Sequence, residues 1–179
     1  MEVYRGDEYD VLGRFLKVAE TSSEKNIVRL TGDCPLIMPK ICDEAILKFR
    51  DGKYDYLSNT IPTTFPDGCD VEVFSKEALR KVELLNPSKE EREHVTLKLY
   101  RNGKLFKIGS LQNTVDDSKH RWTLDYPEDL PFIRNVYSLF RGSEEEFGYY
   151  DVMNAFKVGL LVPHLDRRKL RNVALRNKL

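Results

Sequence analysis

Apolar positions along the chain follow two periods in turn, the pattern of short strands separated by amphipathic helices. Residues 2–5 alternate and run into Gly6-Asp7; then Val11, Leu12, Phe15, Leu16 and Ala19 fall on one helical face, with Asp7 as the expected cap. Residues 26–31 read as a strand closed by Gly32-Asp33-Cys34-Pro35. Pro39 suits the first turn of a helix carrying Ile41, Ala45, Leu47 and Phe49, which Asp51-Gly52 closes. Strands are expected again at 54–58 and 71–74, joined by an irregular loop, 59–70, that Pro62, Pro66 and Gly68 punctuate.

Ser75 is the expected cap of a helix to about Leu84. Ser88-Lys89-Glu90-Glu91 has the form of a capping box and predicts one helix running towards Tyr100. Asn102-Gly103 signals a turn before a strand at 105–110. Residues 120–124 read as a strand leading into Asp125-Tyr126-Pro127-Glu128-Asp129, after which Leu130, Ile133, Tyr137 and Phe140 repeat helically up to Gly142. A short helix at 149–158 and a basic helix after Pro163 complete the chain. Strands alternating with helices predict an α/β fold with a mostly parallel sheet. Residues 1–145 are expected to form that domain and 146–179 a helical extension.

Charge narrows the functions open to such a fold. Lys and Arg number 29, and so do Asp and Glu, so the net basic footprint of a nucleic-acid binder is missing. The sequence has no apolar run long enough to span a bilayer, and its first twenty residues lack an apolar signal core. A cytoplasmic location with neither membrane nor nucleic-acid partner is expected. Cys34, Cys42 and Cys69 follow no metal or disulfide spacing and are expected to be free thiols.

Ligands of open α/β sheets bind beyond the carboxyl ends of strands, which draws attention to acids placed there. Asp33 follows the strand at 26–31 and Asp125 the strand at 120–124. Two such carboxylates suffice for Mg²⁺, which keeps several waters and takes only one or two protein carboxylates alongside phosphates. Each also stands two residues before a proline, where a helix cap is the alternative. Asn59, with Asp67, Asp70 and Glu72, lies in a stretch dense in groups that hydrogen-bond sugar hydroxyls, although a solvated loop has the same composition. Arg92 and His94 open a helix where an arginine fork can take a carboxylate; a charged helix face is the alternative.

Six blocks carry a resemblance. Val3-Tyr4-Arg5-Gly6 with Asp10-Val11-Leu12, Val28-Arg29-Leu30-Thr31-Gly32-Asp33-Cys34-Pro35-Leu36 and Tyr54-Asp55-Tyr56-Leu57-Ser58-Asn59-Thr60 are followed by Pro66-Asp67-Gly68-Cys69-Asp70-Val71-Glu72-Val73-Phe74. Arg92-Glu93-His94-Val95-Thr96 and Arg121-Trp122-Thr123-Leu124-Asp125-Tyr126-Pro127-Glu128-Asp129-Leu130 complete the series. In this order they resemble the cytidylyltransferases of the spore-coat polysaccharide type, related to the acylneuraminate and 3-deoxy-manno-octulosonate enzymes. The resemblance covers roughly residues 2 to 140. It implies a glycosyltransferase-A-like three-layer sandwich and transfer of a cytidylyl group from CTP to a sugar acid, with Mg²⁺ and release of pyrophosphate. It implies further that Asp33 and Asp125 hold the metal, and that Asn59, Asp67, Asp70, Glu72, Arg92 and His94 lie by the sugar.

The family's N-terminal strands and its Gly-rich nucleotide loop have no counterpart in the matching blocks. The sheet is therefore expected to lack those strands, and residues 1–179 alone are expected to release no pyrophosphate. A non-catalytic descendant that binds a sugar or a partner protein is the other reading, and self-association through an open sheet edge is expected.

Overall fold

The computed structural model of the protein describes residues 3–142 and 147–162; the basic helix expected after Pro163 lies outside them. Residues 3–5 carry no strand, and Val3 and Tyr4 stand exposed. The chain divides into two compact units. The first draws on the chain up to Arg29, on Glu44–Ile61 and on Val71–Leu111; the second on Leu30–Asp43, on Pro62–Asp70 and on the chain from Gln112. Among the described residues no helix is long and apolar enough to cross a membrane.

The first unit holds the sheet. Its strands are β1 (Asn26–Arg29), β2 (Tyr56–Ser58), β3 (Glu72–Ser75) and β4 (Ile108–Ser110), in the order β1-β3-β2-β4. Pairing is antiparallel between β1 and β3 and between β2 and β3, and parallel between β2 and β4. The sheet is thus mixed, and the expectation of mostly parallel pairing is corrected. β1, β2 and β4 do share one direction, as strands joined through helices should. The link from β2 to β3 holds no helix to carry the chain back across the sheet, so β3 returns antiparallel and inserts between β1 and β2.

Side chains of a strand alternate between faces, so rows of registered residues share a face. Ile27, Phe74, Tyr56 and Ile108 form one row, packed on a core of Leu12, Leu79, Val82, Val95, Leu99 and Phe106. Three helices supply most of that cover: α1 (Val11–Thr21), α3 (Lys76–Leu84) and α5 (Leu97–Arg101). The next row on the same face is polar: Arg29, Glu72, Ser58 and Ser110. Buried Glu72 is satisfied there by Arg29, by the Tyr56 hydroxyl at 2.7 Å and by the Thr96 hydroxyl at 2.5 Å. Burial, with the Glu72 charge beside it, pushes the Tyr56 phenol well up.

Helix ends follow local chemistry. Asp10, not Asp7, caps α1 by accepting from Gly13 N–H; Asp7 instead closes a turn onto Tyr9 and Asp10. α2 (Pro39–Gly52) begins at its proline as expected and buries Ile41, Ala45 and Phe49, but leaves Leu47 exposed. Ser75 caps α3, and Ser88 with Glu91 forms the predicted capping box. That box opens only a short helix, α4 (Lys89–Glu93), because the single helix expected to Tyr100 breaks before α5. Buried Val95 sits at the break with φ 51°, a left-handed conformation that costs a β-branched residue free energy. The Thr96 bond to Glu72 helps hold it.

In the second unit residues 120–124 are no sheet strand. They make one isolated parallel bridge, Arg121 to Asp67. Helices α6 (Leu130–Leu139) and α7 (Tyr149–Lys157) follow, α6 entered through a 3-10 turn at Pro127–Asp129. The interior is aromatic: His120 stacks on Phe156 at 4.8 Å, Phe156 on Phe132 at 6.1 Å, and Trp122 meets Tyr149 at 5.9 Å. The Tyr149 hydroxyl donates to Asp117 and accepts from Asn113 at 2.7 Å.

Candidate functional site

The second unit gathers several chemically capable groups around residues 120–125. On one side the Asp67 N–H donates to His120 O at 3.0 Å, and the Trp122 N–H donates to Asp67 O at 2.6 Å. On the other, the Leu124 N–H donates to Asp33 O at 2.8 Å. Gly68 allows the first of these approaches: its φ is +101°, and a Cβ there would lie 2.7 Å from the Trp122 carbonyl carbon. The backbone thereby places Asp33, Asp67 and Asp125 along one short stretch of chain.

Asp33 and Asp125 are exposed, and their carboxyl groups lie near enough to interact. Burial works to raise the Asp33 pKa, but hydrogen bonds from Thr31, its own N–H, Cys34 and Asp125 outweigh it and hold the carboxyl below its ordinary range. Cys34 beside it is buried, which pushes its thiol up to about 11 and leaves it protonated and unreactive at neutral pH. All three cysteines are free.

Asp125 is gripped from within the unit. Its Oδ2 accepts from Arg121 Nη2 and from the Thr123 hydroxyl at 2.9 Å. Arg121, itself buried, also donates through Nη1 to Asp129 at 2.6 Å. Asp129 is fully buried and accepts on Oδ2 from the backbone N–H of Asp125 at 2.9 Å and of Tyr126 at 2.8 Å. The sequence suggested for Asp129 only a place in a first helical turn; Arg121 and Thr123 stood in the last of the six resembling blocks without a role of their own.

Two adjacent carboxylates repel unless a proton or a cation lies between them. Among the described residues no three His, Cys, Asp or Glu side chains gather as a metal cluster, so Asp33 and Asp125 offer oxygens as a pair. That donor set fits a hard cation that keeps its waters, as Mg²⁺ does.

The remaining candidates fall into two groups. Asp67 and Asp70 belong to the second unit and are half-buried. Asn59, Glu72, Arg92 and His94 belong to the first. The Asn59 amide oxygen accepts from Val71 N–H at 2.9 Å, prolonging the β2–β3 pairing, and Glu72 serves the polar row. Arg92 gives two bonds of 2.9 Å to the Asp10 carboxylate and one of 2.7 Å to Glu83, so its fork ties α4 to the start of α1 and to α3. His94 ends α4, with its N–H on Glu90 O at 3.0 Å.

No family model matches the chain. An uncharacterised protein of Methanocaldococcus jannaschii is 37% identical over 112 residues, which is 63% of this chain and 45% of that protein. The spore coat polysaccharide biosynthesis protein SpsF of Bacillus subtilis is 32% identical over 138 residues, 75% of this chain and 56% of SpsF. The chain thus spans about half the length of the curated relatives it matches. Its fold is similar to that of a cytidylyltransferase from Leptospira borgpetersenii, with a TM-score of 0.82 and 36% identity, covering 88% of this chain and 66% of that one.

Proposed function

Because this chain belongs to the cytidylyltransferase family, we propose that it serves the transfer of a cytidylyl group from CTP to a sugar acid, with release of pyrophosphate, in the making of a surface polysaccharide. We read its α/β arrangement as the glycosyltransferase-A-like sandwich. The observation that carries the reading is the side-by-side placement of Asp33 and Asp125, pinned by the backbone bond from Leu124 to Asp33. These two residues would hold Mg²⁺. Mg²⁺ bound there supplies positive charge that acidifies an attacking hydroxyl and offsets charge on phosphate oxygens. Asp67 and Asp70, from the same unit, accept hydrogen bonds from sugar hydroxyls. The protein's share is to bring the reactants together and fix their orientation.

Pyrophosphate release from CTP, with Mg²⁺ and a panel of sugar acids, tests the reaction, alongside Mn²⁺ binding and the variants D33N and D125N. Release that either substitution lowers by about a hundredfold or more supports the assignment and overturns the expectation that residues 1–179 alone release none. Release that survives D33N puts the chemistry elsewhere. Mn²⁺ binding that both variants abolish, without any turnover, identifies a binding protein descended from the family.

A further inference from the structure

The two oxygens of Asp125 stand in different surroundings. Oδ2 receives two donors, Arg121 Nη2 and the Thr123 hydroxyl. A carboxylate oxygen offers about two lone-pair directions, so these donors fill Oδ2 and leave Oδ1 to a cation. Arg121 has little freedom to let go. Its side chain is 8% exposed, Nη1 is bound to fully buried Asp129, and its guanidinium carbon lies 5.6 Å from the Tyr126 ring centre. Asp129 in turn holds the backbone N–H of Asp125. One buried aspartate therefore fixes both the arginine and the backbone that carries the carboxylate it grips.

We propose that Arg121 is a positioning and specificity residue that denies a bound cation the second oxygen of Asp125 and so tunes the site to Mg²⁺ over Ca²⁺. The inference rests on the metal role proposed for Asp33 and Asp125. Mg²⁺ requires compact octahedral coordination, accepts single carboxylate oxygens and retains water. Ca²⁺ takes about six to eight oxygens and readily uses both oxygens of one carboxylate. A carboxylate with one oxygen already filled suits the first ion and handicaps the second. Lysine at 121 would keep the charge but lose the planar fork that reaches Asp125 and Asp129 together.

Mn²⁺ bound to the chain is followed by water-proton relaxation and displaced with Mg²⁺ or with Ca²⁺. The unsubstituted protein should release Mn²⁺ at lower Mg²⁺ than Ca²⁺ concentration. In R121K the Mg²⁺ affinity should fall about tenfold, the size typical of losing an outer partner of a ligand, while Ca²⁺ affinity holds, so the preference narrows by about tenfold. T123V keeps the side-chain shape, removes the other donor to Oδ2 and should narrow the preference by about threefold; it carries the test if R121K does not fold. Equal weakening of both ions, or an unchanged ratio in the folded variants, overturns the clamp. Absence of Mn²⁺ binding by the unsubstituted chain, or binding that survives both D33N and D125N, overturns the metal reading itself.

Discussion

At the scale of single residues, His120 combines a buried ring with an unsatisfied nitrogen. It is 6% exposed and stacked on Phe156, and its Nδ1 finds no hydrogen-bond partner among the described residues. Burial depresses its pKa most, Asp117 opposes this, and Lys119 adds to it. The folded pKa therefore lies below the unfolded one, so the unfolded chain binds more protons and stability falls as pH drops below the ordinary histidine range near about 6.5. His120→Phe keeps a stacked ring and removes both the orphaned nitrogen and the titration. It should stabilise the protein by about 1 kcal/mol at neutral pH, with the gain widening as pH falls towards about 5, as read from urea melts. A loss of stability at every pH would mean that Nδ1 serves a partner. The sequence read 120–124 as a strand, whereas the segment makes only an isolated bridge, and neither the burial nor the chemistry of His120 was legible. In the same way Asp129 looked like a helix-dipole residue, because nothing in one dimension shows Arg121 folding back onto it.

Elements were most legible where one local interaction decides them. Pro39, Ser75 and the Ser88 box open helices where the sequence puts them, because a cap is settled within a few residues. The break between α4 and α5 was hidden, because it depends on the Thr96 bond to distant Glu72 and on core packing of Val95. Pairing order was hidden for a like reason: periodicity marks a strand without naming its neighbour. The loop ahead of β3 offers the clearest test at this scale. Gly68 packs against the backbone of Trp122 and Thr123, which cannot yield as a flexible side chain would. Gly68→Ala combines a positive φ with that clash and should cost about 2 kcal/mol or more in calorimetric melts. A neutral substitution would show that the loop shifts freely, and the pinning of residues 120–124 would then need another cause.

For the molecule as a whole, β1 ends the sheet order, with Val28 and Leu30 exposed. An edge with unpaired backbone groups and apolar side chains is a template for a second copy of the chain. Sedimentation velocity over a wide concentration range should show reversible self-association, weakened by Val28→Lys. A monomer throughout, with slow amide exchange at residues 28–31, would mean that the edge is already protected. The sheet's strand order also bears on how the first unit comes together in time. Of its three pairings, β2 with β3 joins the stretches nearest in sequence, whereas β1 must find β3 and β4 must find β2 across much longer loops. Loop closure favours the nearer contact, so Leu57 and Val73, buried partners in the β2–β3 register, should be the nucleus to which β1 and β4 add from opposite sides. Truncating Val73 to Ala should then slow folding, while truncating Val28 should mainly speed unfolding.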